Sequence, residues 1–120
     1  MGEIAIAIER AGGSLVARWT GKSQSVDPAS VLAPVFSELV LAAVAEGLPV
    51  IHDFCALDFF NSATVSAIIR HIKVLGESKV LTTVRYDGGL RWQRSFFDAL
   101  AVTAAKTEHL TVLSILAVKP

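Results

Sequence analysis

Hydrophobic and polar residues alternate at the start of the chain, which predicts strands there. Ile4, Ile6 and Ile8 are separated by small or acidic residues, and this two-residue period is typical of a half-buried strand. The turn signal AGG at 11–13 and the apolar run SLVARW at 14–19 predict a second strand. The chain is therefore expected to open with a β-hairpin.

Three later segments carry apolar residues at the spacing of an amphipathic helix. The first is expected to begin near Pro34, because a proline inside a helix removes a hydrogen bond, and to end at Gly47. The second follows Asn61 and is expected to end at Gly76. The apolar stripes are Val35, Phe36, Leu39, Val40, Ala43 and Val44, then Val65, Ile68, Ile69, Ile72 and Leu75, then Trp92, Phe96, Phe97, Leu100 and Ala104. Each stripe predicts one face that packs against a sheet.

Short β-rich runs separate these helices. PVIHDFC at 49–55, KVLTTVRY at 79–86 and HLTVLSILAV at 109–118 each predict a buried strand. The element order is then ββαβαβαβ. Strands that alternate with helices imply right-handed crossovers and a mostly parallel, mixed sheet after the hairpin. We expect a single α/β domain over residues 1–120.

Composition and charge narrow the function classes. The 120 residues are 52% hydrophobic, and eleven basic residues balance eleven acidic ones. A neutral chain has no electrostatic footprint for nucleic acid, so a nucleic-acid partner is not expected. The longest apolar stretch, 31–50, is interrupted by Pro34, Glu38, Glu46 and Pro49. We expect a packed surface helix there and no membrane insertion.

Location and chemistry are constrained by the N-terminus and by the few histidines and cysteines. The start MGEIAIAIER lacks the pattern of an export signal, and the single Cys55 suits a reducing compartment, so a cytoplasmic location is expected. His52 lies three residues from Cys55, but His71 and His109 fall on other elements, which leaves a metal site short of ligands. No catalytic residue, metal or cofactor is expected, because no acid–base pair or activated nucleophile emerges.

Two loops carry residues that also occur at ligand sites. Asp53 lies near a strand end, where α/β proteins often bind ligands, but we expect it to hold its loop by accepting backbone amides. DGG at 87–89 lacks the spacing and the lysine of a phosphate-binding loop and is interpreted as a turn.

The block DFCALDFFNSAT at 53–64 joins the third strand to the second helix. With the element order, it resembles the STAS superfamily, whose best known members are bacterial anti-sigma-factor antagonists. The residues that carry the resemblance are Asp53, Phe54, Leu57, Phe59, Phe60, Asn61, Ser62, Ala63, Thr64 and Val65. Trp92-Gln93 is similar to a dipeptide in another bacterial branch of STAS-like regulators. The resemblance implies a non-enzymatic regulator that captures a kinase-like anti-sigma factor in partner switching.

The resemblance also implies a phosphorylation switch at the start of the second helix, where a phosphate adds about two negative charges. The family's usual run is Asp-Ser-Ser-Gly or Asp-Ser-Thr-Gly, and the acceptor position is Ala63 here, which has no hydroxyl. Two alternatives follow. Either Ser62 or Thr64 is phosphorylated instead, or the protein stays permanently in its partner-capturing form. We favour the second, because a neighbouring side chain leaves the helix in another direction.

A helical wheel of the second helix predicts the surface that meets the partner. With the apolar stripe toward the core, Ala63, Ala67, Arg70 and Val74 fall on the outer side, and arginine is favoured at interfaces. The predicted partner-binding residues are Asp58, Asn61, Ser62, Ala63, Thr64, Ser66, Ala67, Arg70, Lys73 and Val74. Asn61 and Ser62 also fit an ordinary helix cap. The alternative function is a STAS-like structural or small-ligand-sensing module without a kinase partner, and the sequence leaves homodimerisation open.

Overall fold

A computed structural model describes residues 4–23, 27–104 and 108–115 of the chain. The strands are β1 (Ala5–Ala11), β2 (Ser14–Ser23), β3 (Val50–Asp53), β4 (Leu57–Phe60), β5 (Thr82–Asp87) and β6 (Leu110–Ile115). The helices are α1 (Pro28–Glu46), α2 (Ser62–Glu77) and α3 (Arg91–Ala104). The last residues of the predicted final strand, 116–118, lie outside the described part.

The strands form one mixed, mostly parallel sheet in the order β1-β2-β3-β5-β6. β1 pairs antiparallel with β2 as the predicted hairpin, and β3, β5 and β6 follow in parallel. The predicted α/β class and sheet type are therefore confirmed.

The short strand β4 was missing from the predicted order ββαβαβαβ. It pairs in parallel with the far end of β2, beyond the part of β2 that pairs with β3. β4 thus continues the line of β3 after a brief loop. Its four residues are too few to show a clear two-residue period, so the sequence pattern merges them with the loop.

All three helices cover the same face of the sheet. Trp19 of β2, Phe54 directly after β3 and Val84 of β5 pack with residues of all three helices in the larger core cluster. A smaller cluster packs Leu39 of α1 and Leu75 of α2 against the other end of the sheet. This arrangement follows because right-handed crossovers that step in one direction along a sheet put their helices on one side.

The opposite face of the sheet carries a row of alternating charges. Arg18 stands beside Asp53, and Asp53 stands beside Arg85, on three adjacent strands. The next residue along β3, His52, is buried toward the helices, so the row lies on the other side. Parallel sheets usually have both faces covered, and charged side chains make this face compatible with water instead.

α1 begins at Pro28, so the predicted start near Pro34 was wrong. The backbone N–H and the hydroxyl of Ser30 both donate to the Asp27 carboxylate, which caps the helix. Pro28 takes the first helical position, where its missing N–H costs no hydrogen bond. Pro34 lies inside the helix on an exposed side, where water can satisfy the carbonyl that it frees. Gly47 ends the helix in a left-handed conformation, as predicted.

α1 is apolar on more than one side. Leu32 and Leu39 are buried, whereas Val31, Leu41 and Val44 are exposed. Its 19 residues are long and apolar enough to span a membrane, by length and composition alone. A helix that packs on the core of a soluble protein passes the same test, and the absence of membrane insertion stays a prediction.

α2 continues through Gly76, which was predicted as its end, and terminates at a left-handed lysine. Lys79 has φ of 59°, its N–H donates to the carbonyl of Gly76, and the N–H of Val80 donates to the carbonyl of Leu75. This pair of hydrogen bonds is a Schellman motif, with Val80 and Leu75 in the same buried cluster. Glycine usually occupies the position of Lys79, because a Cβ is strained there.

We expect Lys79→Gly to stabilise the protein by about 1 kcal/mol, because it removes the left-handed strain without touching the core. Urea unfolding of both proteins measures the difference. Lys79→Ala is the matched control: it removes the charge but keeps the Cβ, so it should not stabilise. Equal stabilisation by alanine and glycine would contradict the strain account.

Candidate functional site

The N-terminus of α2 is fixed by a side-chain cap. The Oδ1 atom of Asn61 accepts hydrogen bonds from the backbone N–H of Thr64 at 3.0 Å and from the Thr64 hydroxyl at 2.7 Å. This confirms Asn61 as the N-cap. Ser62 is not a cap but the first helical residue, and its side chain is exposed.

The cap separates the three residues that were considered for phosphorylation. Ala63 and Ser62 are exposed on the first turn of α2. Thr64 is fully buried, with its hydroxyl bonded to Asn61. Thr64 was predicted as a phosphorylation candidate and as a partner contact, but a kinase or a partner would have to open the start of the helix to reach it. Ser62 is the hydroxyl that remains accessible on this turn.

α2 is rotated relative to the predicted helical wheel. Ala67 is only 5% exposed, although it was predicted to face outward, and Ile69 is 46% exposed, although it was predicted to be in the core. The wheel assumed a single buried side, but α2 packs against both the sheet and α1. Ala67 lines the contact with α1, where a small side chain lets the two helices approach. The buried residues of α2 are Thr64, Ala67, Ile68, His71 and Leu75.

We call the exposed residues on one side of α2, together with the exposed residues of β4 that precede it in the chain, the α2 patch. Its members are Asp58, Phe59, Ser62, Ala63, Ser66, Ile69, Arg70, Lys73 and Val74. Seven of the predicted partner-binding residues are among them, whereas Thr64 and Ala67 are buried and Asn61 is partly buried. Phe59 and Ile69 add two large apolar side chains that the sequence interpretation did not include. In the described part of the chain, no carboxylate lies within ion-pair distance of Arg70.

The loop that leads into the α2 patch is held by Gln93 of α3, which is fully buried. Its Nε2 donates to the carbonyl oxygens of Phe54 at 2.7 Å and Leu57 at 3.1 Å, and its Oε1 accepts from the N–H of Asp87 at 2.7 Å. Asp53 holds the same loop by accepting from the N–H of Cys55 at 3.0 Å, as predicted. The sequence identified Gln93 only as part of a dipeptide and did not predict this role.

Cys55 and the DGG turn are two further features that the sequence analysis considered. Burial and the neighbouring Asp53 raise the pKa of the Cys55 thiol to about 12, so it is not a thiolate nucleophile at neutral pH. The carboxylate of Asp87 accepts from the N–H of Gly89 at 2.9 Å, which confirms the predicted turn.

Two histidines that the sequence placed on separate elements meet beneath α2. The Nε2 atoms of His52 and His71 are 2.9 Å apart, and the indole Nε1–H of Trp19 donates to Nδ1 of His52 at 3.0 Å. The His71 ring stacks on Phe36 of α1, with ring centroids 3.9 Å apart. Cys55 does not join them, and within the described ranges no three potential metal ligands cluster.

The direction of these hydrogen bonds follows from the indole, which can only donate. Nδ1 of His52 must therefore be an acceptor, and the proton of the neutral ring is on Nε2. This N–H donates to Nε2 of His71, so the proton of neutral His71 is on Nδ1. Burial lowers the pKa of His71 to about 4 and, together with His71, holds the pKa of His52 well below its ordinary value. Both rings are thus neutral at physiological pH.

A groove of about 470 Å³ lies between α1 and α2, next to this histidine pair. From α1, the groove is lined by Ala29, Ala33, Phe36, Ser37, Val40 and Leu41. From α2, it is lined by Ala67, Arg70, His71 and Val74. Its wall is mostly apolar, and it borders the α2 patch because Arg70 and Val74 belong to both.

Comparison with known proteins supports the fold. No protein-family model matches the sequence, and no curated protein matches it. A crystal structure of an anti-sigma factor antagonist from Mycobacterium paratuberculosis is similar, with a TM-score of 0.58 and 21% identity over 90% of this chain and 85% of that chain. An uncharacterized protein of the DUF3478 family with a SpoIIAA-like fold, from Shewanella loihica PV-4, has a TM-score of 0.56 and 17% identity over 96% of this chain and 88% of that chain. The chain therefore has a STAS-like fold, as predicted.

The histidine pair predicts how stability depends on pH. His71 is neutral in the folded protein down to about pH 4 but titrates near pH 6.5 when unfolded, so its contribution is complete above pH 6.5 and is lost as the pH falls toward 4. His71→Gln removes this titration while its amide oxygen still accepts from His52. We expect the acid loss of stability between pH 6.5 and 4.5 to shrink by about 2 kcal/mol in this variant.

Urea unfolding across this pH range measures the effect. His109→Gln, which lies outside the cluster, is the matched control and should keep the wild-type profile. A wild-type acid profile in His71→Gln would contradict the buried neutral pair.

Proposed function

We propose that this protein is a non-enzymatic regulator that binds a kinase-like anti-sigma factor in the cytoplasm through the α2 patch. The observation that carries the proposal is the patch itself, in which Phe59 before α2 and Ile69 and Arg70 on α2 are all exposed. The fold is that of a structure described as an anti-sigma factor antagonist, which supports the class of partner.

The composition of the α2 patch suits a protein partner. Aromatic residues and arginine are enriched where binding energy concentrates at interfaces, and small neighbours such as Ala63 and Ser66 allow close approach. Arg70 has no carboxylate partner among the described residues, so an acidic group on the partner can pair with it without breaking an existing ion pair. A partner with an acidic rim around an apolar pocket would match these features.

The first turn of α2 supports a partner-capturing form that phosphorylation does not end. Ala63 occupies the position where STAS antagonists carry the acceptor hydroxyl, and Thr64 is buried beneath the turn. Ser62 is exposed, but its side chain leaves the helix in a different direction from that of residue 63. A kinase that positions residue 63 for phosphoryl transfer finds the methyl group of alanine there, which cannot accept a phosphate.

Titration calorimetry with each kinase-like anti-sigma factor of the source genome tests the binding. We expect one of them to form a complex that Arg70→Glu weakens at least tenfold, about 1.4 kcal/mol, because the variant places like charges together. Arg94→Glu is the matched control, with the same charge change at an exposed position of α3. Equal weakening by both variants, or no complex with any candidate, would argue against the mapped surface.

Incubation of the complex with ATP tests the missing acceptor. Mass spectrometry should find no phosphate on residues 61–66 of the wild-type protein, and the complex should persist. Ala63→Ser restores the hydroxyl, so this variant should gain one phosphate and release the partner. Phosphate on Ser62 of the wild type would show that the neighbouring hydroxyl has taken over the switch.

A further inference from the structure

The polar groups in the groove between α1 and α2 are all able to donate hydrogen bonds. They are the Arg70 guanidinium, the His71 ring and the Ser37 hydroxyl, and none of the described residues that line the groove carries a carboxylate. The remaining lining residues are apolar, and Leu41, at 70% exposed, has little cover from the rest of the described chain. The volume of the groove and the composition of its lining fall within the range of small-molecule sites, which are mostly apolar with a few polar groups that orient the ligand.

His71 carries the strongest indication of a ligand. Its side chain is 5% exposed, and its Nε2 is occupied by the bond from His52. The direction of the hydrogen bonds from Trp19 through His52 leaves the proton of His71 on its Nδ1, and no described residue accepts a hydrogen bond from that atom. No buried side-chain nitrogen or oxygen in the described part lacks a partner, so Nδ1 must have accessible surface, and the groove is the cavity that His71 lines. An almost completely buried ring therefore presents one N–H to the groove.

We propose that this groove binds a long-chain carboxylic acid, with its carboxylate on Arg70 and His71 and its hydrocarbon chain between the two helices. The guanidinium supplies charge and a planar pair of donors, and His71 supplies one further donor. Val40, Leu41 and Val74 supply the apolar wall against which the hydrocarbon chain of the acid packs. This site does not depend on the proposed anti-sigma factor.

The charges of α1 favour a free long-chain acid as the ligand of the groove over the surface of a lipid bilayer. Glu38 and Glu46 are the ionisable residues of this helix, and both are acidic. Helices that lie on anionic membranes carry lysine and arginine beside their apolar face. A single-chain acid needs one cationic partner, which Arg70 provides.

Calorimetry with three twelve-carbon probes below their micelle concentrations tests the proposal on the full chain. Dodecanoate should bind saturably at one site, dodecanol at least fivefold more weakly, and dodecyltrimethylammonium not measurably. Arg70→Gln should weaken dodecanoate at least fivefold and leave dodecanol unchanged. Lys73→Gln removes a positive charge from the same helix outside the groove lining, and it should change neither affinity.

A steric variant completes the test. Ala33 is exposed on the groove wall, so Ala33→Phe should abolish binding of both dodecanoate and dodecanol while circular dichroism and the unfolding midpoint stay unchanged. Three results would overturn the proposal: no saturable dodecanoate binding, equal binding of the cationic probe, or unchanged dodecanoate affinity in Arg70→Gln. Two further results would show that the groove has another occupant and would also overturn the proposal. In both, dodecanoate has no effect on the wild-type protein. In the first, Ala33→Phe dissociates a dimer detected by sedimentation, and in the second, Ala33→Phe abolishes flotation with anionic vesicles.

Discussion

The indole N–H of Trp19 determines the order of hydrogen bonds at the centre of this protein. It fixes the acceptor on His52, which fixes the donor toward His71, whose ring stacks on Phe36. One chain of contacts thereby joins β2, β3, α2 and α1. Both hydrogen bonds require neutral rings, because a second proton on His71 would point at the N–H of His52. The spacing of α1 and α2, and with it the groove and the orientation of the α2 patch, depends on this sequence of donors and acceptors.

The α2 patch is held from beneath by contacts that leave its surface unoccupied. Gln93 fixes the loop before the helix, and Asn61 closes the first turn. A surface that is already ordered loses little conformational entropy when a partner binds, so more of the contact energy appears as affinity. A docking surface requires both a rigid backbone beneath it and exposed apolar side chains, and the α2 patch has both.

The sequence was sufficient for features that depend on period and on local chemistry. The hairpin, the three helices, the Asn61 cap and the role of Asp53 were all predicted from nearby residues. The errors in the predicted surface of α2 have one physical origin, which is that the sequence of a single helix does not reveal how many neighbours it has. Ala67 and Ile69 exchanged their expected environments because α1 covers a second side of α2. The contacts of His52 with His71 and of Gln93 with Phe54 join residues far apart in the chain, and no spacing rule reaches them.

Arg70 belongs to both surfaces of α2, and one guanidinium cannot neutralise two anions in full at the same time. A bound acid in the groove and an acidic protein on the outer side would therefore compete for it, and each would lower the affinity of the other by the same factor. Such competition would let a small metabolite displace a protein partner from α2, so the concentration of the metabolite would set how much of the partner is bound.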